Sequence, residues 1–487
     1  MFTSSYSPEW DLCPLWNPPS RYQRGSRNLE IFQLRSLPLV GLATSGGGYR
    51  SMPSGAGVVQ AFDSRESSST HLATSGLYQA LTYHSGLSGG SWLLSSLAGN
   101  NFPTISELTQ TYWNSILSNN PLSIDPFKFG ENYTSVAKDV FRKYIFARGL
   151  DFPGLRPTLT DPWGRLISYG ILPPTSDPGL VTLSSVAAMP SFTGYNAPFP
   201  IITALGVNTW LGEGVPGVAA FAPTQYIGTP MNNGNPASDL WCVTNIDNLG
   251  WIAGTSSNLF NVCAGNNSTL APCEVADWLE EYVYNNTGYN ISLTTSTYAN
   301  YTNPFQNYAS STLVSEQSIL QLVDGGQAGQ NNPVWPFIQP ERGVDVLFVN
   351  DNSADIGDMV TGGYPDGSEL YTTYVQAKDA GLTKMPAVPL TVPNTQATFF
   401  GCYDADKLTI IYLPNNNFTY NSGTPTWKFT YTQDEVAGMI QNGNAIANQN
   451  GAGSWGFCLA CGLMAKSGAI GVPGCQTCLD TFCWKEE

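Results

Sequence analysis

Two short stretches of the chain combine an apolar strand, a glycine-rich turn and a helix, and they restrict the fold more than any other feature. In the first, residues 37–44 predict a buried strand that ends in Ser45-Gly-Gly-Gly-Tyr-Arg50. In the second, residues 81–84 lead through Ser85-Gly-Leu-Ser-Gly-Gly90 into a helical pattern over 92–98. Strands that alternate with helices in this way are typical of an α/β fold with a largely parallel central sheet.

Later segments extend this pattern and lead to a domain prediction. Further apolar runs typical of strands lie at residues 200–206, 319–323, 344–349 and 408–413. The stretch from 215 to 310 is rich in Asn, Gly, Thr and aromatic residues, and we interpret it as a large inserted cap region. We expect one elaborated domain over residues 37–487 that includes a cysteine-rich tail at 456–487. Before it lies an irregular N-terminal segment, residues 1–36, which we expect to be incomplete.

The chain is acidic and poor in charged residues. These make up 11%, and 20 Lys and Arg against 36 Asp and Glu give a formal net charge of −16. This balance argues against a nucleic-acid partner, whose phosphates would be repelled, and against strong electrostatic binding to an anionic membrane. No apolar run is long enough to predict a transmembrane segment. Only two histidines, His71 and His84, are present, so mechanisms that need several imidazoles are nearly excluded.

Glycosylation sequons and cysteines both point to an oxidising compartment outside the cell. Asn266 and Asn267 overlap and count as one site, so we predict glycans at Asn132, Asn267, Asn285, Asn290, Asn300 and Asn417. Of the ten cysteines, the tail holds Cys458, Cys461, Cys475, Cys478 and Cys483. Because the tail holds an odd number, full pairing needs at least one bridge to an upstream cysteine. A zinc site built from the two Cys-x-x-Cys pairs is the alternative, and we favour disulfides.

A secreted chain ordinarily begins with a signal peptide, and none is visible here. Residues 1–36 contain no apolar run of the needed length. Either the start is truncated or misassigned, or the protein is not secreted, and we favour truncation.

The turn Gly86-Leu-Ser-Gly-Gly90 is a candidate nucleophile elbow. In such a turn the serine stands between a strand and a helix, and small flanking residues leave room for the carbonyl that it attacks. The dipole of the following helix would favour the negative charge that develops on the substrate. Ser88 is therefore the candidate nucleophile, although a glycine-rich turn without chemistry has the same pattern.

The Ser45–Arg50 loop also allows more than one interpretation. Consecutive glycines at a strand end can present backbone N–H groups to an anion. A nucleotide-binding loop is one possibility, but the Gly-Lys-Ser/Thr ending of a P-loop is missing. An oxyanion hole is the second, with the Arg50 guanidinium suited to a phosphate or carboxylate. A tight turn with a surface arginine is the third.

The residue that activates Ser88 could be a histidine or an aspartate. His84 lies on the incoming strand and is more typical of a packed histidine, while His71 lies in a Ser/Thr-rich loop. Asp324 follows an apolar strand and precedes two glycines, so it could act as a general base or simply start a turn. Because imidazoles are so scarce, a Ser–Asp dyad is the sharper hypothesis.

Taken together, these motifs resemble the fungal lysophospholipase/phospholipase B family, whose core is similar to that of cytosolic phospholipases and patatins. The matching segments, in the family's order, are Ser45–Arg50, Gly86-Leu-Ser-Gly-Gly-Ser-Trp92, Asp324-Gly-Gly326 with Gln330–Pro336, Asp351-Asn-Ser-Ala-Asp355 and the tail cysteines. The chain departs from the family at Gln327-Ala328, where members often carry an acidic residue.

The resemblance implies a three-layer α/β/α patatin-like core with a mixed, largely parallel sheet, and no metal or other cofactor. By position, it implies that Ser88 is the nucleophile and Asp324 the base. It further implies that Gly47 and Gly48 form the oxyanion hole and that Arg50 binds the substrate phosphate. Asp351 and Asp355 match a family marker, for which the sequence suggests no physical role beyond shaping the strand end.

We therefore expect a secreted lysophospholipase/phospholipase B that meets its lipid substrate at a micelle or membrane surface. It would cleave fatty acyl esters of lysophospholipids through an acyl-enzyme, and action on diacyl phospholipids stays open. One alternative is a broader carboxylester or galactolipid hydrolase with the same dyad. Another is a non-catalytic secreted glycoprotein on the same fold.

Overall fold

The structure is a computed structural model. It describes residues 37–118, 120, 122, 157–172, 181–207, 221–237, 246–265, 271–288, 290–291, 296–308, 314–467 and 471–486. The predictions made for residues 1–36 and for the glycans at Asn132 and Asn267 lie outside these residues, as do two of the ten cysteines, Cys13 and Cys242.

A six-stranded sheet forms the centre of the described part. Counting the strands of the smaller sheets as well, the described strands are β1 (Val40–Thr44), β2 (Tyr83–Gly86), β3 (Phe199–Ile202), β4 (Leu205–Gly206), β5 (Met231–Asn232), β6 (Asn235–Pro236), β7 (Ala299–Thr302), β8 (Ile319–Val323), β9 (Val346–Asp351), β10 (Ile356–Asp358), β11 (Gly362–Tyr364), β12 (Thr398–Phe400) and β13 (Thr409–Pro414). The central sheet has the order β12-β13-β9-β1-β2-β3. Its neighbouring strands are parallel except β12, which runs antiparallel to β13.

Helices cover both faces of this sheet. Those of eight residues or more are α1 (Ser51–Phe62), α2 (Gly89–Gly99), α3 (Thr160–Ile171), α4 (Leu249–Ser256), α5 (Ala271–Thr287), α6 (Ser368–Asp379), α7 (Gln433–Ala447), α8 (Trp455–Leu463) and α9 (Cys475–Phe482). One-turn helices lie at Leu77–Ala80, Ile105–Leu108, Asn114–Ile116 and Pro190–Thr193, and a π-helical turn at Thr109–Trp113. None of the described helices combines the length and the apolar character of a membrane span.

Alternation along the strands divides the core into two layers. Leu42 and Phe348 point to one face, where they join a cluster that includes side chains of α1, α2 and α7. Ala43 and Leu347 point to the other face and join a cluster that includes side chains of α6. Buried on both sides, the central strands are continuously apolar, as parallel strands generally are. The predicted three-layer α/β/α arrangement with a mixed, mostly parallel sheet is confirmed.

The close crossing of α1 and α7 fixes the helix that follows the first glycine-rich loop. A Cβ atom added to Gly57 would lie 2.0 Å from the Ile440 carbonyl oxygen, and one added to Gly443 would lie 1.9 Å from the Ser54 carbonyl oxygen. Only glycine allows backbones this close. A capping box between Thr432 and Glu435 begins α7.

The strand predicted at 200–206 is divided between two sheets. β3 joins the central sheet, whereas β4 pairs antiparallel with β8, which in turn pairs with β7. This second sheet, in the order β4-β8-β7, matters for the site because Asp324 follows β8 directly. Of the predicted cap region at 215–310, the described parts include α4, α5 and β7.

One disulfide, Cys402–Cys483, fastens the C-terminal tail to the edge of the central sheet, and two more lie within the tail. The bridges are Cys263–Cys273, Cys402–Cys483, Cys458–Cys478 and Cys461–Cys475. The expected bridge from the tail to an upstream cysteine is confirmed, and the zinc alternative is wrong because the four cysteines that would form it are paired with one another. The Trp484 N–H also donates to the Phe399 carbonyl at 2.8 Å, so the tail covers β12.

Candidate active site

Ser88 occupies a strained turn between β2 and α2. Its φ of 48° and ψ of −120° lie outside the regions that a serine ordinarily adopts. The flanking glycines are required by contact: an added Cβ would lie 2.6 Å from the Gly90 carbonyl oxygen at Gly86, and 2.2 Å from the Thr44 carbonyl oxygen at Gly90. The predicted nucleophile elbow therefore has the backbone geometry that the motif requires.

A second serine supports the elbow from another part of the chain. The Ser88 N–H donates to the Ser256 Oγ at 2.9 Å, and the Ser256 hydroxyl donates to the Thr203 carbonyl at 2.6 Å. Ser256 is the last residue of α4, and the sequence analysis did not identify it. Through this relay the strained turn is bonded to the segment that leaves β3.

Asp324 lies close to Ser88. The Gly326 N–H donates to its carboxylate at 2.8 Å, and only 3% of the residue is exposed. Burial raises the pKa of Asp324 to about 6, and the Gly326 N–H and the Ser88 side chain offset part of that increase. A carboxylate whose pKa lies near neutrality, beside a serine hydroxyl, can accept the serine proton.

Gln327 anchors the turn that carries Asp324. Its side-chain amide exchanges two hydrogen bonds with the Asn261 amide, at 2.7 and 2.8 Å. Its Nε2 also donates to the Asn258 carbonyl at 3.2 Å, the same oxygen that accepts the Asp324 N–H at 2.9 Å. Gln327, where family members often carry an acidic residue, is thus matched by a neutral amide, that of Asn261.

Neither histidine contacts the serine. His84 is fully buried on β2, where its Nε2 lies 3.0 Å from the Thr44 hydroxyl and its ring meets Tyr78 edge-on. Burial lowers the pKa of His84 to about 3, which keeps the imidazole neutral. His71 is exposed in the turn region between α1 and β2. The triad alternative receives no support from this geometry.

The glycine loop after β1 lies directly against the elbow. A Cβ added to Gly89 would be 2.0 Å from the Gly48 carbonyl oxygen and 2.7 Å from its nitrogen. Gly47 and Gly48 have φ values of 135° and 58°. Within the described part of the chain, the N–H groups of Gly47, Gly48 and Gly89 donate to no acceptor. They are therefore free to receive an oxyanion, and Gly89, which follows Ser88, is a further candidate donor that the sequence did not indicate.

Arg50 joins the glycine loop to two other loops. Its Nε donates to the Asn352 carbonyl at 2.8 Å, and its Nη1 donates to the Thr424 carbonyl at 2.7 Å and the Thr426 hydroxyl at 3.1 Å. Burial lowers the pKa of Arg50 to about 10, so it keeps its charge near neutral pH. Nη2 lies beside Gly47, 2.9 Å from the position of an added Cβ. Arg50 thus has a structural role, and phosphate binding by it stays a prediction.

Asn331 braces the glycine loop from behind, together with a group of acidic side chains. Its Nδ2 donates to the Gly46 carbonyl at 3.2 Å and the Ser353 hydroxyl at 2.8 Å, and its N–H donates to Glu369. Burial first, and then the charges of Asp355 and Asp351, raise the pKa of Glu369 well above its usual value.

The two family-marker aspartates belong to this support. Asp351 accepts hydrogen bonds from the Ser353 N–H and hydroxyl, from the Asn332 amide and from the Tyr412 hydroxyl. Burial first, and then the charge of Asp351, raise the pKa of Asp355 to about 7. Asp351 therefore holds the loop that receives Arg50, whereas Asp355 accepts the Asp366 N–H at 3.1 Å. No group of His, Cys, Asp and Glu among the described residues is arranged to hold a metal ion.

The predicted glycan sites that the structure describes lie at or near the surface. Asn285, Asn290 and Asn417 are exposed, and Asn300 on β7 is partly exposed. All four are therefore sterically open to modification, and glycosylation itself stays a prediction.

Comparison with known proteins gives a consistent result. A family model described as the lysophospholipase catalytic domain matches residues 40–487. Lysophospholipase 1 of Aspergillus fumigatus is 36% identical, over 92% of this chain and 76% of its own length. The lysophospholipase of Penicillium chrysogenum is 34% identical, over 92% and 79%. Lysophospholipase 3 of Saccharomyces cerevisiae is also 34% identical, over 92% and 71%.

Among solved structures, human GIVD cytosolic phospholipase A2 is similar with a TM-score of 0.63 at 16% identity. The match covers 89% of this chain and 63% of that one. The same human enzyme in complex with methyl gamma-linolenyl fluorophosphonate gives a TM-score of 0.58. At this identity the likeness concerns the fold.

Proposed function

Because the chain belongs to the lysophospholipase catalytic-domain family, we propose that it is a secreted lysophospholipase/phospholipase B that works through a Ser88–Asp324 dyad. Its substrates would be fatty acyl esters of lysophospholipids. The observation that carries the proposal is the strained Ser88 elbow with the buried Asp324 beside it, close enough for the Ser88 side chain to lower the pKa of that carboxyl. Unpaired N–H groups lie beside this pair, so nucleophile, base and oxyanion donors are together.

In the first half of the proposed reaction, the Ser88 hydroxyl oxygen attacks the acyl carbonyl carbon and its proton passes to Asp324. The carbonyl oxygen becomes an oxyanion that the N–H groups of Gly47, Gly48 and Gly89 stabilise. When the tetrahedral intermediate collapses, the ester C–O bond breaks. The leaving glycerophospho-alcohol takes the proton from Asp324, and the acyl group stays on Ser88.

In the second half, water attacks the acyl-enzyme and gives its proton to Asp324. The intermediate collapses with release of the fatty acid, and Ser88 recovers its proton from Asp324. The pKa of about 6 suits both halves, since the carboxylate is ionised near neutral pH and can still return a proton.

The test is acyl release from lysophosphatidylcholine by the wild type and three variants. Ser88→Ala and Asp324→Asn should each lower kcat by roughly 1,000-fold or more, as loss of a nucleophile or base does elsewhere. His84→Ala should fold less well but keep turnover in its folded fraction. Full activity of Ser88→Ala, or loss specific to His84→Ala with an active Asp324→Asn, would refute the dyad.

Arg50 gives a reason to keep a second candidate function, a broader carboxylester or galactolipid hydrolase. Its guanidinium is buried and two of its nitrogens are bonded within the protein, so a substrate without phosphate could also fit. A panel of lysophosphatidylcholine, a monoacylglycerol and a galactolipid separates the two, because only the phospholipase should prefer the first. Fluorophosphonate labelling at Ser88 would exclude a non-catalytic glycoprotein.

Secretion and glycosylation complete the proposal. The four described disulfides and the exposed sequons at Asn285, Asn290 and Asn417 are supporting observations. A glycosidase should lower the apparent mass of protein collected from the medium of a eukaryotic host. An unchanged mass, or retention inside the cell, would refute this part.

A further inference from the structure

A short hairpin beside the site exposes a group of apolar side chains. β10 and β11 pair antiparallel with Ile356 opposite Tyr364, so residues 356–364 form one unit, which we call the apolar hairpin. Ile356 is 56% exposed, Met359 45% and Val360 65%. Met359 and Val360 lie at the tip, and Ile356 lies at the base. Large apolar side chains gathered on one short hairpin, rather than scattered singly, are typical of an interaction surface.

The apolar hairpin stands at the same edge of the sheet as the catalytic serine. It follows the carboxyl end of β9, and Ser88 follows the carboxyl end of β2, and the two strands run in the same direction through β1. The Thr426 N–H donates to the Met359 carbonyl at 2.9 Å. The Thr426 carbonyl oxygen in turn lies 2.4 Å from the position of an added Cβ on Gly48. The segment that contains Thr426 thus lies between the apolar hairpin and the glycine loop after β1, and it contacts both.

The base of the hairpin is fixed to the body of the protein. The Tyr364 hydroxyl donates to the Asn421 side chain at 2.8 Å, and its ring packs beside Gly423. A Cβ added to Gly362 would lie 2.1 Å from the Gly423 carbonyl oxygen. The exposed tip is therefore presented on a rigid support.

The charge of the hairpin indicates which surface it fits. Asp358 is its single charged residue, and that carboxylate accepts hydrogen bonds from the Val360 N–H at 2.7 Å and the Thr361 N–H at 2.6 Å. No lysine or arginine lies between residues 356 and 364, and the chain carries a net charge of −16. An anionic lipid surface would gain no attraction here. A zwitterionic lipid surface has no net charge, so it does not repel the acidic protein, and its acyl chains can accept the apolar tip.

We propose that the apolar hairpin docks the enzyme on aggregates of zwitterionic phospholipid, with Ile356, Met359 and Val360 inserted among the acyl chains. This rests on the proposed function, because Ser88 is only 7% exposed and a lipid must leave its aggregate to reach it. Docking at the neighbouring hairpin brings the mouth of the site to that surface. Apolar insertion supplies the affinity that charge does not.

Binding is tested apart from catalysis, in a Ser88→Ala background that leaves the lipid intact. Flotation with phosphatidylcholine vesicles compares Val360→Glu with Val472→Glu. Val472 is 46% exposed but lies in the tail that covers β12, at the opposite end of the strand order from β2 and β3. Val360→Glu should weaken vesicle binding by roughly tenfold or more, the value of one buried apolar side chain. Val472→Glu should bind as the parent does.

Turnover gives a second readout with active Ser88. Val360→Glu and Met359→Glu should lower the rate on micellar lysophosphatidylcholine and leave the rate on a monomeric, water-soluble ester unchanged, while Val360→Leu should retain both. Vesicle binding that survives Val360→Glu, or equal losses in Val472→Glu, would overturn the proposal.

Two other results would also overturn it. One is an equal loss on the soluble ester, which would assign Val360 to the site itself. The other is conversion of an oligomer to a monomer by Val360→Glu, which would assign the surface to a second copy. Failure of the proposed function looks different: the wild type would bind vesicles but release no fatty acid.

Discussion

Replacing Asp324 with asparagine should abolish turnover and, at neutral pH, stabilise the fold. The carboxylate is 3% exposed, and the hydrogen bond from the Gly326 N–H together with the nearby Ser88 side chain only partly replaces the water that it loses. An ionised carboxylate in such a place costs the folded state free energy. Asparagine keeps the shape and can still accept the Gly326 N–H, but it carries no charge.

The size of the effect follows from the pKa. Burial raises the pKa of Asp324 from 3.8 to about 6, and each unit is worth 1.36 kcal/mol, so ionisation of the folded protein costs about 3 kcal/mol. Between these two values the folded state binds more protons than the unfolded state. The contribution of Asp324 to stability therefore falls as pH rises through this window, and the cost is complete above the folded-state pKa.

The assay is urea unfolding of both proteins at pH 8 and at pH 4. The stability gain of Asp324→Asn over the wild type should be about 2.5 kcal/mol larger at pH 8 than at pH 4, where most but not all of the cost is absent. Asp358→Asn is the control of opposite sign, because hydrogen bonds from the Thr361 and Val360 N–H groups lower the pKa of that exposed carboxylate. It should show no gain at pH 8.

Two results would refute this reasoning about Asp324. An equal stability difference at both pH values would mean that burial does not penalise the charge. A variant that gains stability but keeps its turnover would mean that the buried carboxylate is not the base.

Three further predictions concern rate and stability. The kcat/KM for lysophosphatidylcholine should fall about tenfold per pH unit below the Asp324 pKa, and a limb near pH 4 instead would contradict a raised pKa. Ser256→Ala leaves the Ser88 N–H unpaired, so kcat on a soluble ester should fall by roughly tenfold with little change in KM. A change confined to KM would contradict a positioning role. Cys402→Ser with Cys483→Ser opens a bridge of sequence separation 81 and should lower the unfolding free energy by roughly 4 kcal/mol, measured by urea unfolding; an unchanged midpoint would refute this.

The parts of the fold and site that sequence could predict are those set by local rules. Gly86 and Gly90 flank Ser88 because a sharp strand-to-helix turn excludes side chains, and that requirement is visible in five consecutive letters. A mostly apolar run, interrupted only by Gln321, likewise predicted β8 with its observed bounds, Ile319–Val323. The apolar run at 200–206 forms strands in two different sheets, β3 and β4, and nothing in its sequence pattern indicated this division.

Contacts between distant segments were beyond prediction. Ser256 is a common residue type in a segment that the motifs do not include, and Asn331, although within the matching segment Gln330–Pro336, carried no indication of its contact with Gly46. The partners of Arg50 were also beyond prediction. Its charge suggested that it binds a lipid phosphate, yet it donates to the carbonyl groups of Asn352 and Thr424, which lie more than 300 positions further along the chain.

The pairing of β1 with β9 has a consequence for how the enzyme is made. The ribosome delivers β1, β2 and Ser88 early, but β9, the second neighbour of β1 in the sheet, ends at residue 351, and Asp324 is made only shortly before it. A nascent chain that ends before Asp324 has Ser88 without the carboxylate beside it and a glycine loop without Asn331 behind it. The proposed dyad can therefore assemble only late in translation, once β8 and the residues after it have been made.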